Sequence, residues 1–169
     1  MPKEHCATCG ETLETVSDLS FGAPLHFEEI PEAERTARAT LTSDTCTIDG
    51  QHFFVRGCLE VPVHGRGDKF VWGVWVSLSQ PNYRQFLELF DQRDVAAVGP
   101  YFGWLCNRIP GYPDTLLLKT NVHLRTHPTR PAIELERTDH PLSVHQREGI
   151  DAAELESVIH EGLHGKHAG

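Results

Sequence analysis

Two cysteines near the start of the chain have the spacing of a metal-binding turn. Cys6 and Cys9 are separated by two residues and followed by Gly10. A C-x-x-C turn brings two thiolates to one side, and the glycine permits the tight backbone that lets amides approach the sulfurs. The pattern therefore predicts a structural zinc ion held by a cysteine knuckle. A closed tetrahedral site needs two further ligands, for which Cys46 and Cys58 are the candidates.

The chain between Cys46 and Cys58 restricts how these two residues can share one ion. The dipeptide Asp49-Gly50 predicts a β-hairpin turn, since both residue types tolerate positive φ. A two-residue turn would place Cys46 opposite Phe53 and leave Cys58 five residues further along the second strand. That offset is about 17 Å at roughly 3.3 Å per residue, and its odd parity puts the two side chains on opposite faces. In such a hairpin the two sulfurs cannot reach the same zinc ion.

Several alternatives to a four-cysteine site therefore stay open. One of the two later cysteines joins the knuckle together with a histidine, either His5 or His26, or a bulge in the hairpin brings both cysteines together. The two later cysteines, and Cys106 with them, are otherwise small buried residues, as free cysteines often are. The knuckle itself is alternatively a thiol redox pair that holds no metal.

A second metal-binding pattern occurs at residues 160–164. It reads H-E-x-x-H, which places two imidazoles on one helical face beside a glutamate that activates a zinc-bound water. A metal-dependent hydrolase using His160, Glu161 and His164 is therefore the rival function. Gly162 weakens a helix at this point. A solvated, histidine-rich helix end, favoured by the helix dipole, accounts for the same residues without catalysis.

Aromatic and cationic residues in the second half of the chain indicate a ligand or partner surface. Residues 101–115 are rich in aromatic side chains and turns and are flanked by predicted strands, and such loops on a rigid scaffold often carry binding sites. Histidines and arginines further on are compatible with an anion-binding face. Core packing of the aromatic residues and simple exposure of the basic ones are the structural alternatives. The candidate surface residues are Trp75, Trp104, Tyr112, His123, Arg130 and His140.

Strands with alternating apolar residues must position these side chains. Lys69–Leu78 alternates, with Phe70, Trp72, Val74, Val76 and Leu78 on one face, and is predicted to be a central strand. Residues 40–48 and 51–63 are predicted as strands on either side of the hairpin turn. Further strands are predicted at residues 101–106, 116–124 and 132–135.

Helix signals fall before, between and after these strands. Residues 31–38 begin with proline and acidic residues, as short helices do. Ser79 or Asn82 can cap a helix whose buried stripe is Tyr83, Phe86, Leu87 and Phe90. Asp139 can cap a helix from Pro141, and Asp151 another. Because regular βαβ alternation is absent, the order predicts an α+β fold: a mainly antiparallel sheet of five or six strands with helices packed on one side.

Size and charge limit the class of protein. A chain of 169 residues suits one domain, with the metal knuckle and an irregular segment in residues 1–30 and the α+β body in residues 31–169. A net charge of −9 argues against nucleic acid as a partner. No apolar run approaches the roughly 20 residues of a membrane helix. An odd number of cysteines without a signal peptide predicts a cytoplasmic protein.

Several longer motifs resemble a known family. They are Cys6-x-x-Cys9-Gly10, Ser43-Asp44-Thr45-Cys46, residues 54–62 (FVRGCLEVP), residues 72–79 (WGVWVSLS), residues 102–105 (FGWL), residues 112–115 (YPDT), residues 118–123 (LKTNVH) and residues 139–142 (DHPL). Together these motifs are similar to a bacterial family catalogued as domain of unknown function 2199. The resemblance spans nearly the whole chain and implies no established activity, substrate or partner. It also implies that Cys6, Cys9, Cys46 and Cys58 belong to recurring motifs, whereas Cys106 and the H-E-x-x-H motif do not.

The expected function is that of a small zinc-stabilised cytosolic binding or accessory protein without catalytic activity. The sequence contains no convincing nucleophile–base pair and no phosphate-binding glycine loop. A protein or a small molecule is the expected partner. The metal-dependent hydrolase and the thiol redox protein are the alternatives.

Overall fold

The computed structural model describes residues 18–90, 98–126 and 128–167, with side chains as far as residue 162. Cys6 and Cys9 therefore lie outside the described residues. In chain order the elements are β1 (Asp18–Ser20), α1 (Leu25–Glu28), α2 (Glu32–Arg38), β2 (Ala39–Leu41), β3 (Thr45–Ile48), β4 (His52–Pro62), β5 (Lys69–Leu78), α3 (Gln80–Leu89), β6 (Tyr101–Leu105), β7 (Lys119–His123), β8 (Ala132–Leu135), α4 (Pro141–Glu148) and α5 (Ala152–His167). The α+β class is confirmed.

Five of the strands close into a barrel. β4, β5, β6, β7 and β8 pair in that order and antiparallel, and β8 returns to β4 through one parallel bridge between Cys58 and Ala132. β3 and β2 extend the sheet from β4, while β1 pairs in parallel with β5. The predicted mainly antiparallel sheet of five or six strands with helices packed on one side is corrected: in the described residues the sheet has eight strands of mixed orientation, and five of them form a closed barrel. The bridge that closes the barrel joins β4 and β8, which are far apart in sequence, so no local sequence pattern predicts it.

The predicted faces of the central strand are confirmed. Phe70, Trp72, Val74, Val76 and Leu78 of β5 are all buried on one face of the strand, and all belong to the main hydrophobic core. The strands β5 and β4 are 10 and 11 residues long, and all ten residues of β5 pair with β4. The other strands of the sheet are added to this long antiparallel pair.

The helices partly follow their predicted patterns. Ser79 caps α3 by accepting a hydrogen bond from the Asn82 amide, and Tyr83 and Phe86 are buried. Leu87 departs from the predicted stripe, because its side chain is 47% exposed. In α4 the cap is not Asp139: the imidazole Nδ1 of His140 accepts the Leu142 amide at 3.1 Å instead.

Two segments near the start of the described chain differ from their predictions. Residues 40–48, predicted as one strand, are the two strands β2 and β3. The Thr42 hydroxyl accepts the Thr45 amide at 2.9 Å and closes a tight turn between them, a local bond that competes with strand pairing. β1 and α1 occupy part of the stretch predicted to be irregular. Within the described residues, every helix is too short or too polar to cross a lipid bilayer.

A second hydrophobic cluster lies on the outer surface of the barrel. It consists of Ile30, Cys46, Ile48, Phe54, Trp75 and Cys106, and α1 and its flanking residues cover it. Trp75 is fully buried there and donates its indole N–H to the Phe21 carbonyl at 2.9 Å. The loop after β6 is tied to the same cluster by Asn107, whose side chain accepts the Trp75 amide and donates to the Ala23 carbonyl.

A glutamine side chain fills the gap where β4 and β8 separate. Beyond the single bridge at Cys58, the edge of β8 would expose the Ile133 carbonyl and the Leu135 amide. Gln146 of α4 donates to the first and accepts from the second, each at 2.8 Å, and so imitates a neighbouring strand. The barrel seam is thereby closed by a side chain rather than by backbone pairing.

Replacing Gln146 by alanine is expected to destabilise the fold by about 2–6 kcal/mol, since it leaves two largely buried backbone groups without partners at about 1–3 kcal/mol each. Urea unfolding of the variant measures the loss. Gln51→Ala in the exposed hairpin turn is the matched control and is expected to change stability by less than about 0.5 kcal/mol. Equal stability of both variants would show that the seam does not depend on this side chain.

Candidate ligand-binding groove

A groove runs across the outer face of the barrel over a small residue. Phe54 of β4, Ser77 of β5 and Trp104 of β6 are directly paired across three adjacent strands, so their side chains share the outer face. Adjacent strands are about 4.8 Å apart, which places the backbones of the two aromatic residues about 10 Å from each other. Because Ser77 is small, the space above it stays open between two aromatic side chains.

The apolar lining of this groove is exposed. Across the described chain the large hydrophobic residues that are exposed are Leu41, Leu87, Phe102, Trp104 and Leu117. The last three of them line this single groove. Phe102 and Trp104 contact each other edge to face, with ring centroids 5.1 Å apart. Their outward direction follows from the alternation of β6, in which Tyr101, Gly103 and Leu105 point inward.

Leu117 is presented to the groove by an unusual backbone conformation. Its φ is 66°, in the left-handed region that side chains other than glycine rarely adopt. The conformation is held because the Leu117 amide donates to the Leu105 carbonyl at 2.7 Å and the Leu105 amide donates to the Leu118 carbonyl at 2.9 Å. Strain of this kind is retained where the surrounding structure fixes it, often at binding sites. In this protein the left-handed conformation places the Leu117 side chain, which is 52% exposed, in the lining of the same groove as Trp104.

The remaining lining is polar but carries no carboxylate, ammonium or guanidinium group among the described residues. His26, Gln51, His52, Ser79 and Asn82 contribute imidazoles, amides and a hydroxyl. The imidazole of His26 packs against Phe54 with ring centroids 5.4 Å apart, and its Nδ1 is buried without a hydrogen-bond partner in the described chain. The cavity volume is about 500 Å³, within the range of about 300–1,000 Å³ typical of small-molecule sites.

Of the six predicted surface residues, only Trp104 lies in this groove. Trp75 is buried in the outer cluster and is not part of an exposed surface. Tyr112 and His140 hold the loop before β7 against α4: the Tyr112 hydroxyl is 2.8 Å from His145 Nδ1, and His140 Nε2 is 3.1 Å from the Pro113 carbonyl. Burial, and secondarily the charge of Glu154, raises the pKa of Tyr112 well above its usual range.

His123 and Arg130 lie on other parts of the barrel surface. His123 Nε2 is 3.3 Å from a carboxylate oxygen of Glu134 on the neighbouring strand. Arg130 donates its Nε to Asp44 at 2.9 Å. The six predicted residues thus do not form one surface: Trp104 lines the groove, Trp75 is buried, Tyr112 and His140 hold the loop before β7, and His123 and Arg130 each contact a carboxylate elsewhere.

The cysteine residues are placed differently from the hairpin prediction. Asp49 and Gly50 both have positive φ, as predicted, but Ile48 pairs with His52, so three residues rather than two separate the strands. Cys46 therefore lies opposite Phe54 instead of Phe53. Cys58 is then four residues further along β4, an even offset of about 13 Å on the same face. The corrected register still keeps the two sulfurs too far apart to share one ion.

The three described cysteines differ in accessibility. Cys46 and Cys106 are fully buried, and burial raises the pKa of each thiol to about 11. Both are therefore protonated at neutral pH and pack as small apolar residues. Cys58 is half-buried on the outer face of the barrel. No cluster of three or more histidine, cysteine or acidic side chains able to hold a metal occurs among the described residues.

The H-E-x-x-H residues lie on α5 with the glycine facing the barrel. A Cβ on Gly162 would lie 3.1 Å from the Trp72 ring, so a glycine allows the helix to approach the sheet. His160 and Glu161 are exposed. Residue 160 is two positions from Gly162, about 200° around the helix, and so belongs to the face turned away from the barrel. The side chain of His164 is outside the described residues.

The match of the sequence to a family model covers residues 5–150, and that model describes an uncharacterized protein conserved in bacteria, DUF2199. The chain belongs to this family. The DUF2199 match includes every groove residue as well as Cys6 and Cys9, while the H-E-x-x-H motif lies beyond it. No curated protein and no solved structure matches the chain.

Proposed function

We propose that this DUF2199 protein is a zinc-stabilised cytosolic binding protein without catalytic activity, and that the groove over Ser77 binds a small uncharged molecule with a flat apolar face. One observation carries the proposal: Phe102, Trp104 and Leu117, three exposed large hydrophobic residues, line the same concave surface. Exposed apolar surface of this kind is commonly an interaction site.

The chemistry of the lining supports an uncharged ligand. A charged ligand would find no ion-pair partner among the described groove residues. A flat ring can instead lie against Trp104, while amide and hydroxyl groups such as those of Asn82 and Ser79 hydrogen-bond to its substituents. Among the described groove residues, no hydrogen bond joins a serine hydroxyl to an imidazole, the pairing that activates a serine nucleophile, and this supports binding rather than turnover.

Trp104→Ala is expected to weaken ligand binding about 5- to 150-fold, because loss of a stacking aromatic surface costs about 1–3 kcal/mol and about 1.4 kcal/mol is tenfold in affinity. The measurement is ligand-observed NMR with a library of uncharged ring fragments and a matched set of carboxylate and ammonium fragments. We expect hits among the uncharged set, with dissociation constants measured for the best of them.

The matched control for this experiment is Leu41→Ala. Leu41 and Trp104 are similarly exposed, at 38% and 39%, but Leu41 lies outside the groove. The control is expected to retain all hits. Ser77→Leu, which fills the space between the aromatic side chains, is expected to abolish them. Hits that survive in both Trp104→Ala and Ser77→Leu, or that come from the charged fragments, would contradict the proposal.

A further inference from the structure

A separate small cavity lies on the barrel surface where β1, β4 and β5 meet. Ser20, Gly73 and Cys58 are aligned across these three strands by direct pairing. A Cβ on Gly73 would lie 2.5 Å from the Ser20 Cβ, so the glycine allows β1 to approach β5 closely at the edge of this cavity. The cavity has a volume of about 110 Å³, and Arg56 and Arg130 contribute to its lining.

Arg56 is held in an electrostatically unfavourable position. Burial, and after it the positive charge of Arg130, lowers the pKa of Arg56 from its usual range. Its Nη1 donates to the Ser43 carbonyl at 3.3 Å, while its Nε is buried without a partner in the described chain. The guanidinium also lies over the Trp75 ring, 5.9 Å from the centroid. A buried donor without an acceptor costs about 1–3 kcal/mol, so this arrangement favours an added acceptor.

Two carboxylates lie near the two guanidinium groups of the cavity. Asp44 forms an ion pair with Arg130 and also attracts Arg56. Asp18 lies exposed among the lining residues. An oxyanion between the guanidinium groups would reduce their mutual repulsion, and planar guanidinium groups bind phosphate oxygens in a fixed geometry.

We propose that Arg56 and Arg130 bind a small tetrahedral oxyanion of the phosphate class in the cavity over Gly73. The hydroxyl of Ser20 is an additional donor at its edge. This site is distinct from the aromatic groove: the cavity is lined by charged groups and the groove by none among the described residues. Neither proposal depends on the other.

The test is titration of the full chain with inorganic phosphate, followed by NMR of the arginine Nε–H resonances and by isothermal calorimetry. Arg130→Gln and Arg56→Gln are each expected to weaken phosphate binding at least tenfold. Arg108→Gln is the matched control, since Arg108 is exposed, pairs with Asp114 through Nε and lies outside the cavity. It is expected to bind phosphate as the unmodified chain does.

Asp18→Asn provides a test with the opposite sign. Removing this exposed carboxylate is expected to strengthen phosphate binding about two- to threefold, an effect of the size found for exposed charge pairs. A parallel titration with glycerol 2-phosphate distinguishes a site for free phosphate, which would reject the ester, from a site for phosphate monoesters, which would accept it. Either result supports the oxyanion site.

Thiol alkylation gives an independent readout that does not require a mutation. Phosphate in the cavity is expected to slow iodoacetamide modification of Cys58 at least threefold, because this thiol lines the same cavity. Unchanged phosphate binding in Arg130→Gln, or an equal loss in Arg108→Gln, overturns the proposal. Arg56→Gln could fail to fold because the contact between Arg56 and Trp75 is lost. In that case phosphate binding by Arg130→Gln and the alkylation rate of Cys58 still test the proposal.

Discussion

Replacing Gly103 by valine is expected to destabilise the fold by at least about 3 kcal/mol, the upper range for overpacking in a well-packed core. Gly103 points into the barrel between β5 and β6, and a Cβ at this position would lie 2.6 Å from the Ser77 carbonyl oxygen. A backbone oxygen cannot move aside without breaking the strand pairing. The Gly103 carbonyl also accepts the buried Thr120 hydroxyl at 3.0 Å, which fixes β6 against β7.

Thermal unfolding followed by circular dichroism measures this effect. For a domain of this size each 1 kcal/mol lowers the midpoint by roughly 2–4 °C, so a decrease of about 6–12 °C is expected. Gly67→Val is the control, because a Cβ there meets nothing within 4 Å. Its midpoint is expected to stay within about 2 °C of the unmodified chain. An unshifted midpoint for Gly103→Val would mean that β6 does not lie this close to β5.

Gly103 also connects the stability of the barrel to the groove. Its inward position sets the alternation by which Phe102 and Trp104 face outward on either side of it. A shift of β6 away from β5 would move Trp104 relative to Ser77, its direct partner on the neighbouring strand. A variant that survives with a displaced β6 should therefore lose ligand binding as well as stability.

The sequence predicts those parts of the fold whose signals are local. The alternation of Lys69–Leu78 identified the interior face of β5, and Ser79 marked the start of α3, because period and capping depend on neighbouring residues. Barrel closure was missed because it depends on the bridge between Cys58 and Ala132, which lie 74 positions apart. The hairpin register was missed by one residue because turn composition predicts a turn but not its length.

The groove could be predicted only in part for the same reason. The aromatic segment around Trp104 was recognised from composition, whereas His52, Ser77 and Leu117 come from three other places in the chain and meet only through strand pairing. Ser77 had a usable signal, as a small residue on the outer face of a central strand. Leu117 had none, since a left-handed leucine has no characteristic sequence pattern. The prediction that Trp75 belongs to an exposed surface is wrong, because α1 and adjoining residues cover the outer face of β5 at this position.

Substituting both Cys6 and Cys9 by serine is expected to lower the zinc content from one ion per chain to none. Serine hydroxyls are not deprotonated at neutral pH and do not replace thiolate ligands of zinc. The measurement is elemental analysis of protein purified under reducing conditions. Because metal binding is coupled to folding, the same double variant is expected to expose the N-terminal segment to limited proteolysis while the barrel stays intact.

Cys46→Ala is the matched control for the zinc experiment. Its thiol is fully buried with its pKa raised to about 11 by that burial, so it is expected to contribute packing and no charge, and the variant should keep its zinc. Cys58→Ser tests whether the half-buried thiol supplies a third ligand.

Full zinc content in the Cys6 and Cys9 double variant would disprove the knuckle. A reversible disulfide between the two residues in metal-free protein would instead favour the thiol redox alternative, because a thiolate that holds zinc tightly is not available for exchange.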